Sequence, residues 1–172
     1  MRPPKPLTDE AQALRYALWL LNRRPHSEGE LREKFRARKL PPELGDRVLD
    51  RLKAKRFVDD AAFAEGFARS RADRGWGPAK IRAALRLKKI PRETVEASTA
   101  GVFPAQDEAA AARELLERQK AKFSPAKDKK RGQGAARALA YLVRRGYSFG
   151  AARLAVKGVL GYNSGLPGED GL

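Results

Sequence analysis

Leu31-Arg32-Glu33-Lys34-Phe35-Arg36-Ala37-Arg38-Lys39-Leu40-Pro41-Pro42 returns, altered but recognisable, as Ile81-Arg82-Ala83-Ala84-Leu85-Arg86-Leu87-Lys88-Lys89-Ile90-Pro91-Arg92. A shift of 50 places Leu31 on Ile81, Phe35 on Leu85, Leu40 on Ile90, Pro41 on Pro91 and, further along, Leu52 on Val102. A further shift of 57 continues the columns with Ala138, Leu142, Tyr147, Ser148 and Val159. The extra length fits a lysine-rich insertion before Ala135. Apolar residues four apart that stop at a proline mark a helix face ending in a turn. Core and loop positions that share constant offsets argue for duplication rather than chance likeness between amphipathic helices. The pattern predicts an all-α chain of three tandem three-helix repeats, helix-turn-helix-like, stacked in an extended, curved array.

Working outward gives the remaining helices. Leu14, Ala17, Leu18 and Leu21 supply one face of a helix from Thr8 to Arg23, which Pro25 stops. Ser27 with Glu30 has the form of a capping box for the second helix. A third runs from Pro42 to Lys55, with Phe57-Val58 expected to fold back onto it as an apolar plug. Asp59-Asp60 can cap a fourth, whose core face is Phe63, Ala64, Phe67 and Ala68. Gly75-Trp76-Gly77-Pro78 breaks it, and a fifth follows with Ile81 and Leu85. A sixth spans Arg92 to Ala100, a seventh Gln106 to Lys122, an eighth Ala135 to Arg145 and a ninth Phe149 to Leu160. Gly146 sits where a left-handed C-cap belongs, and Ser148 can cap the ninth helix. The predicted units are residues 1–58, 59–105 and 106–161, with a basic insertion at 124–134 and a flexible tail at 162–172.

Composition narrows the function classes. The chain has no cysteine, so no disulfide framework, thiolate metal site or cysteine nucleophile is available. The longest apolar runs, Tyr16 to Leu21 and Ala138 to Val143, fall far short of the roughly 20 residues of a membrane span, and no membrane partner is expected. The first ten residues lack the apolar segment of a secretory signal. Lys and Arg number 37 against 21 Asp and Glu, a net charge of +16 that favours a polyanionic partner. Two stretches, Arg69 to Arg92 and Arg118 to Lys157, together carry +19, more than the whole chain. Such segregation departs from an evenly mixed solvated surface.

Chemistry is hard to place. His26, the only histidine, lies between Pro25 and a helix cap, where a catalytic triad has no room. No Walker-type loop occurs, and Gly75-Trp76-Gly77 lacks the third glycine and the preceding strand of a dinucleotide fingerprint. Asp59 and Asp60 could suggest a two-metal nuclease, but adjacent residues at a helix start diverge in direction, and capping explains them better. No enzyme activity, cofactor or metal is therefore expected. The candidate binding residues are cationic or aromatic: Arg69, Arg71, Arg74, Trp76, Lys80, Arg82, Arg86, Lys88, Lys89, Lys127, Lys129, Lys130, Arg131, Arg144 and Arg145. Core packing at a repeat junction competes with base contact as the role of Trp76. Ser27, Asp59, Asp60, Phe63, Gly75, Gly77 and Gly146 read as structural.

Phe57 to Ala64, then Ser70-Arg71, then Gly75-Trp76-Gly77 with Ile81 and Leu85, resemble the core signature of the RecX regulatory proteins. Arg24 to Ser27 with Glu30-Leu31 resembles that family's first-unit motif, and Tyr141 to Phe149, with Arg145-Gly146-Tyr147-Ser148, its third. The resemblance covers Ala13 to Leu160. It implies a cytoplasmic modulator of RecA, the recombinase that coats single-stranded DNA. It also implies an array lying along the RecA filament, lowering its ATPase, strand exchange and coprotease activity, with direct DNA binding in several members. The expected DNA partners are single strands and also duplex, and a stacked array, having no evident need to dimerise, is expected to be a monomer. Lys39, Arg56 and Lys89 stand where the family often has glycine. A plain DNA-binding helical protein, regulatory or architectural, is the competing reading, and a metal-dependent nuclease a third.

Overall fold

The computed structural model describes residues 5–104, 107–123 and 133–161, and all regular structure among them is helical. The helices are α1 Glu10–Arg23, α2 Glu28–Ala37, α3 Pro42–Ala54, α4 Asp60–Asp73, α5 Pro78–Leu87, α6 Arg92–Val102, α7 Glu108–Arg118, α8 Gln133–Arg145 and α9 Phe149–Leu160. Residues 124–132 of the expected insertion and the tail at 162–172 lie outside the described residues, while Gln133 and Gly134, expected in the insertion, already belong to α8.

Local chemistry sets the boundaries. The Asp9 carboxylate accepts the Gln12 N–H at 2.8 Å and starts α1. Ser27 and Glu30 form the expected capping box at α2, Pro42 opens α3, and the Ser148 hydroxyl accepts the Ala151 N–H at the start of α9. Helix α7 ends earlier than its alanine-rich sequence predicts, tightening into a short 3-10 turn, Lys120–Lys122.

The repeat is visible atom by atom. Leu31, Ile81 and Ala138 are fully buried, as are Phe35, Leu85 and Leu142, and the next column, Leu40, Ile90 and Tyr147, is 4–6% exposed. Just before that column the chain turns left-handed three times, at Lys39 (φ 55°), Lys89 (φ 61°) and Gly146 (φ 94°). Each turn closes with the same bond, Leu40 N–H to the Phe35 carbonyl (3.1 Å), Ile90 to Leu85 (3.2 Å) and Tyr147 to Leu142 (3.2 Å). This is the Schellman ending, in which an apolar residue after the turn seals onto the helix it terminates. Arg56 (φ 55°) ends α3 similarly. All three residues that depart from the expected glycine are thus left-handed.

Two readings need correction. The buried stripe of α1 is Ala13, Ala17 and Leu20, while Leu14 and Leu21 are half-buried and Leu18 is exposed. Small alanines at the centre allow α1 to approach its neighbours closely, which rotates the larger leucines to the edge of the contact. Of the supposed plug, Val58 is buried but Phe57 is 54% exposed.

The chain forms two compact units, one running to Phe67 and including Ala84–Ser98, the other comprising Ala68–Ala83 and the chain from Thr99 onward. The division passes through α4, α5 and α6. Each unit has its own apolar cluster, centred on Leu31, Leu49 and Leu52 in the first and on Leu116, Leu142 and Val156 in the second.

Candidate nucleic-acid interface

Both units contain a junction built from the same repeat positions. In the first, the Ser27 hydroxyl donates to the Lys88 carbonyl at 2.6 Å, so the N-terminus of α2 meets the C-terminal end of α5. In the second, Gly77 N–H donates to the Arg145 carbonyl (2.8 Å) and Ala79 N–H to the Gly146 carbonyl (3.0 Å), so the N-terminus of α5 meets the end of α8. Donors left over at one helix start thereby satisfy acceptors left over at another helix end, and the dipoles are paired with favourable sign. The approach is close enough to need small residues. A Cβ on Gly29 would lie 2.3 Å from the Lys89 Cβ, and one on Gly77 only 2.4 Å from the Gly146 carbonyl carbon. Gly75, left-handed at φ 76°, has no room beside Leu115.

The two junctions differ in charge. Around the first, Glu30 accepts from Arg24 (3.1 Å) and from the Lys88 ammonium (2.8 Å), as well as from the Ser27 N–H. Burial pushes the Glu30 carboxyl up, but these donors outweigh it and hold the pKa at about 2. Glu28 N–H donates to Asp60 at 2.8 Å, so Asp60 serves α2 while Asp59 caps α4 through the Ala62 N–H (2.9 Å). Burial foremost raises the Asp60 pKa, the backbone donor from Glu28 opposing it.

At the second junction the repeat offset puts Arg74, Trp76, Lys80 and Arg145 where the first has Arg24, His26, Glu30 and Lys88. The acid is gone. The Lys80 ammonium lies 4.6 Å from the centre of the half-buried Trp76 ring and the Arg71 guanidinium 5.1 Å from it. Arg145 donates to the Arg74 carbonyl at 3.1 Å and covers Tyr141 at 5.2 Å. Among the described residues no carboxylate pairs with Arg74, Lys80 or Arg145.

The predicted site therefore divides. Lys88, Lys89 and Arg86 are neutralised in the first unit by Glu30, Glu33 and Glu96, at 2.8, 3.7 and 3.0 Å. Lys88 also lies over Phe63 and Phe67, which stack on each other. Arg71, Arg74, Trp76, Lys80 and Arg145 come together in the second unit. Arg69 and Arg144 are exposed and Arg82 is half-buried. Lys127, Lys129, Lys130 and Arg131 lie outside the described residues. Sequence reading missed an aromatic face on α1, where Tyr16 and Trp19 stack at 6.1 Å with Arg23 over the Trp19 ring. Its signal was the helical spacing of Tyr16, Trp19 and Arg23. No cluster of three or more potential metal ligands occurs among the described residues, nor any helix long and apolar enough to cross a membrane.

Fold and junctions together define a helical-repeat protein with one ion-paired junction and one cationic, aromatic-centred junction. The sequence descriptions "RecX, first three-helix domain" and "RecX, second three-helix domain" match residues 13–52 and 59–98. "Regulatory protein RecX" of Thermobifida fusca is 37% identical over 150 residues, covering 87% of this chain and 78% of the relative. The protein of the same name from Xanthomonas oryzae pv. oryzae (strain MAFF 311018) is 34% identical over 148 residues, covering 86% and 89%. The chain belongs to the RecX family. Its fold is shared with the crystal structure of RecX from Lactobacillus salivarius (TM-score 0.76, 16% identity, 88% of this chain and 96% of that one). A second crystal structure of regulatory protein RecX matches with a TM-score of 0.70 at 21% identity, covering 85% and 72%.

Proposed function

We propose that this protein is a non-enzymatic negative modulator of RecA. It acts as a cytoplasmic monomer that binds the RecA–DNA filament and lowers its ATPase, strand-exchange and coprotease activities. Family membership supports RecA as the partner. The observation that carries the DNA contact is the acid-free cluster of Arg74, Lys80 and Arg145 beside Trp76, at positions where the other junction holds a neutralising glutamate. Cations without a carboxylate partner are available to phosphate oxygens. By charge alone, Lys127, Lys129, Lys130 and Arg131 are further phosphate-binding candidates, and 1–58, 59–105 and 106–161 are the successive modules of the proposed array.

The test is RecA ATPase on single-stranded DNA with substoichiometric amounts of the protein. Inhibition is expected; its absence at every ratio, with folded protein and intact filaments, overturns the proposal. The same cluster favours a second reading, a plain DNA-binding protein. In that case affinity should fall with salt at a log-log slope of about −4 if roughly six single-strand phosphates are neutralised. Filament binding that survives at salt where free DNA is released decides for RecA.

A further inference from the structure

The outer face of α1 carries a group of residues that neither junction uses. Trp19 is 54% exposed although the opposite side of the same helix is packed with Ala13, Ala17 and Leu20. A lone exposed aromatic needs no explanation, but Trp19 is not alone. Tyr16 lies nearly parallel to it, at 16° between ring planes, and guanidinium groups cover both rings, Arg23 at 4.8 Å from Trp19 and Arg38 at 4.7 Å from Tyr16. Beside them opens a recess of about 440 Å³, lined by Tyr16, Trp19, Arg23, Arg24, His26 and Lys34 together with Leu20. No carboxylate lines it. Arg24 is engaged by Glu30, but Arg23 and Lys34 have no carboxylate partner among the described residues. Burial lowers the pKa of His26, whose Nδ1 lies 2.9 Å from the Arg24 carbonyl.

These features select a ligand. Trp19, 54% exposed, offers a flat surface the size of a base once Arg23 swings from its ring to a flanking phosphate, and cations without acids offer compensation to phosphates. An acidic peptide would satisfy the charge but leave the ring surface without a matching flat partner. Duplex DNA would satisfy the charge but keep its bases inside the stack. We infer that the Tyr16–Trp19 face of α1 is a second nucleic-acid site, which takes an unpaired base of a single strand on Trp19 and its flanking phosphates on Arg23 and Lys34. It is separate from the Trp76 cluster, although it rests on the reading that the chain binds nucleic acid. Its consequence is selectivity: the first unit prefers single strands, whereas the cluster at Trp76 needs only phosphate.

The chain has two tryptophans, so Trp76→Phe leaves Trp19 as the sole reporter, and all comparisons are made in that background. Titration with a thymidine oligonucleotide should quench Trp19 emission; a blunt-ended two-strand duplex and an abasic strand of equal phosphate number should not. Adding Trp19→Ala should weaken binding of the thymidine strand by roughly tenfold, within the range for one stacked base. Trp19→Phe should restore most of that loss. Since Trp19 is half exposed, unchanged circular dichroism and thermal unfolding are expected and are the control for folding. Binding with no change in Trp19 emission, or an equal response to the abasic strand, overturns the α1 site and leaves the proposed function standing. Emission that responds to RecA without DNA, and not to DNA, assigns the face to protein and overturns it as well. Failure of the Trp76-containing parent to bind single strands, duplex or filament would defeat the proposed function itself.

Discussion

Glu30 gathers three donors, from Arg24, Ser27 and Lys88, on a side chain only 16% exposed. Its pKa of about 2 against an ordinary 4.5 makes it a pH-dependent contributor to stability. The folded-state value is depressed, so the contribution is fully present above the unfolded pKa and is lost as pH falls towards the folded one. Glu30→Gln should therefore cost about 2 kcal/mol at neutral pH, after discount for the half-exposed Arg24, and the two proteins should converge in urea unfolding as pH drops from 5 to about 2. Lys39 illustrates a different residue-scale conflict. A side chain at φ 55° is strained where glycine is not. Lys39→Gly should raise stability by about 0.5 kcal/mol, the relief of strain exceeding the extra freedom of the unfolded chain. Lys89→Gly should gain less, because the Lys89 Cβ packs against Gly29.

Between elements, the recurrent device is a helix start seated on a helix end. It explains why Gly77 is a glycine although its φ is not positive: the neighbour is the Gly146–Tyr147 backbone, which has no rotamer to change. Gly77→Ala should lower the urea midpoint, costing about 3 kcal/mol or more from forced separation of backbones. Gly66, inside α4 with open space around it, provides the opposite sign. Gly66→Ala should stabilise by about 0.5–1 kcal/mol through helix propensity alone. The caps at Ser27, Asp59 and Ser148 and the left-handed turn at Gly146 were legible in sequence because each depends on neighbours a few positions away, whereas the turns at Lys39 and Lys89 carry no glycine to announce them. The junction bonds were not legible, since Ser27 and Lys88 meet only when repeats stack, and nothing in either local pattern announces the other.

Across the whole molecule, folding redistributes the charge balance. Arg69 to Arg92 is nearly free of acids as a sequence, but folding brings Glu30, Glu33 and Glu96 onto its C-terminal half. Arg74, Lys80 and Arg145 beside Trp76 keep no carboxylate partner among the described residues. Charge reversal there, as Lys80→Glu or Arg74→Glu, should weaken DNA binding by roughly tenfold or more and flatten its salt slope by about one. The same reversal at Lys89 or Arg86 should cost less affinity, because those charges already have partners. Titration of a labelled oligonucleotide at several salt concentrations measures both, and equal losses at the two sets would contradict the division.

The helices, the caps at Ser27, Asp59 and Ser148, the repeat and the family are legible in the chain alone, because all of these are written in short-range chemistry and constant spacing. Leu31, Phe35 and Leu40 announce a buried face and its ending wherever they recur. Packing between repeats sets which cations have an acid beside them, and brings exposed Trp19 and half-buried Tyr16 of α1 to one recess with Arg23 and Lys34. The reason is geometric: a charge is neutralised by whatever acid lies within a few ångströms, and Glu30 lies beside Lys88 only because two repeats pack start to end. One glutamate against one lysine at an equivalent position, Glu30 and Lys80, separates a structural ion network from a candidate phosphate site.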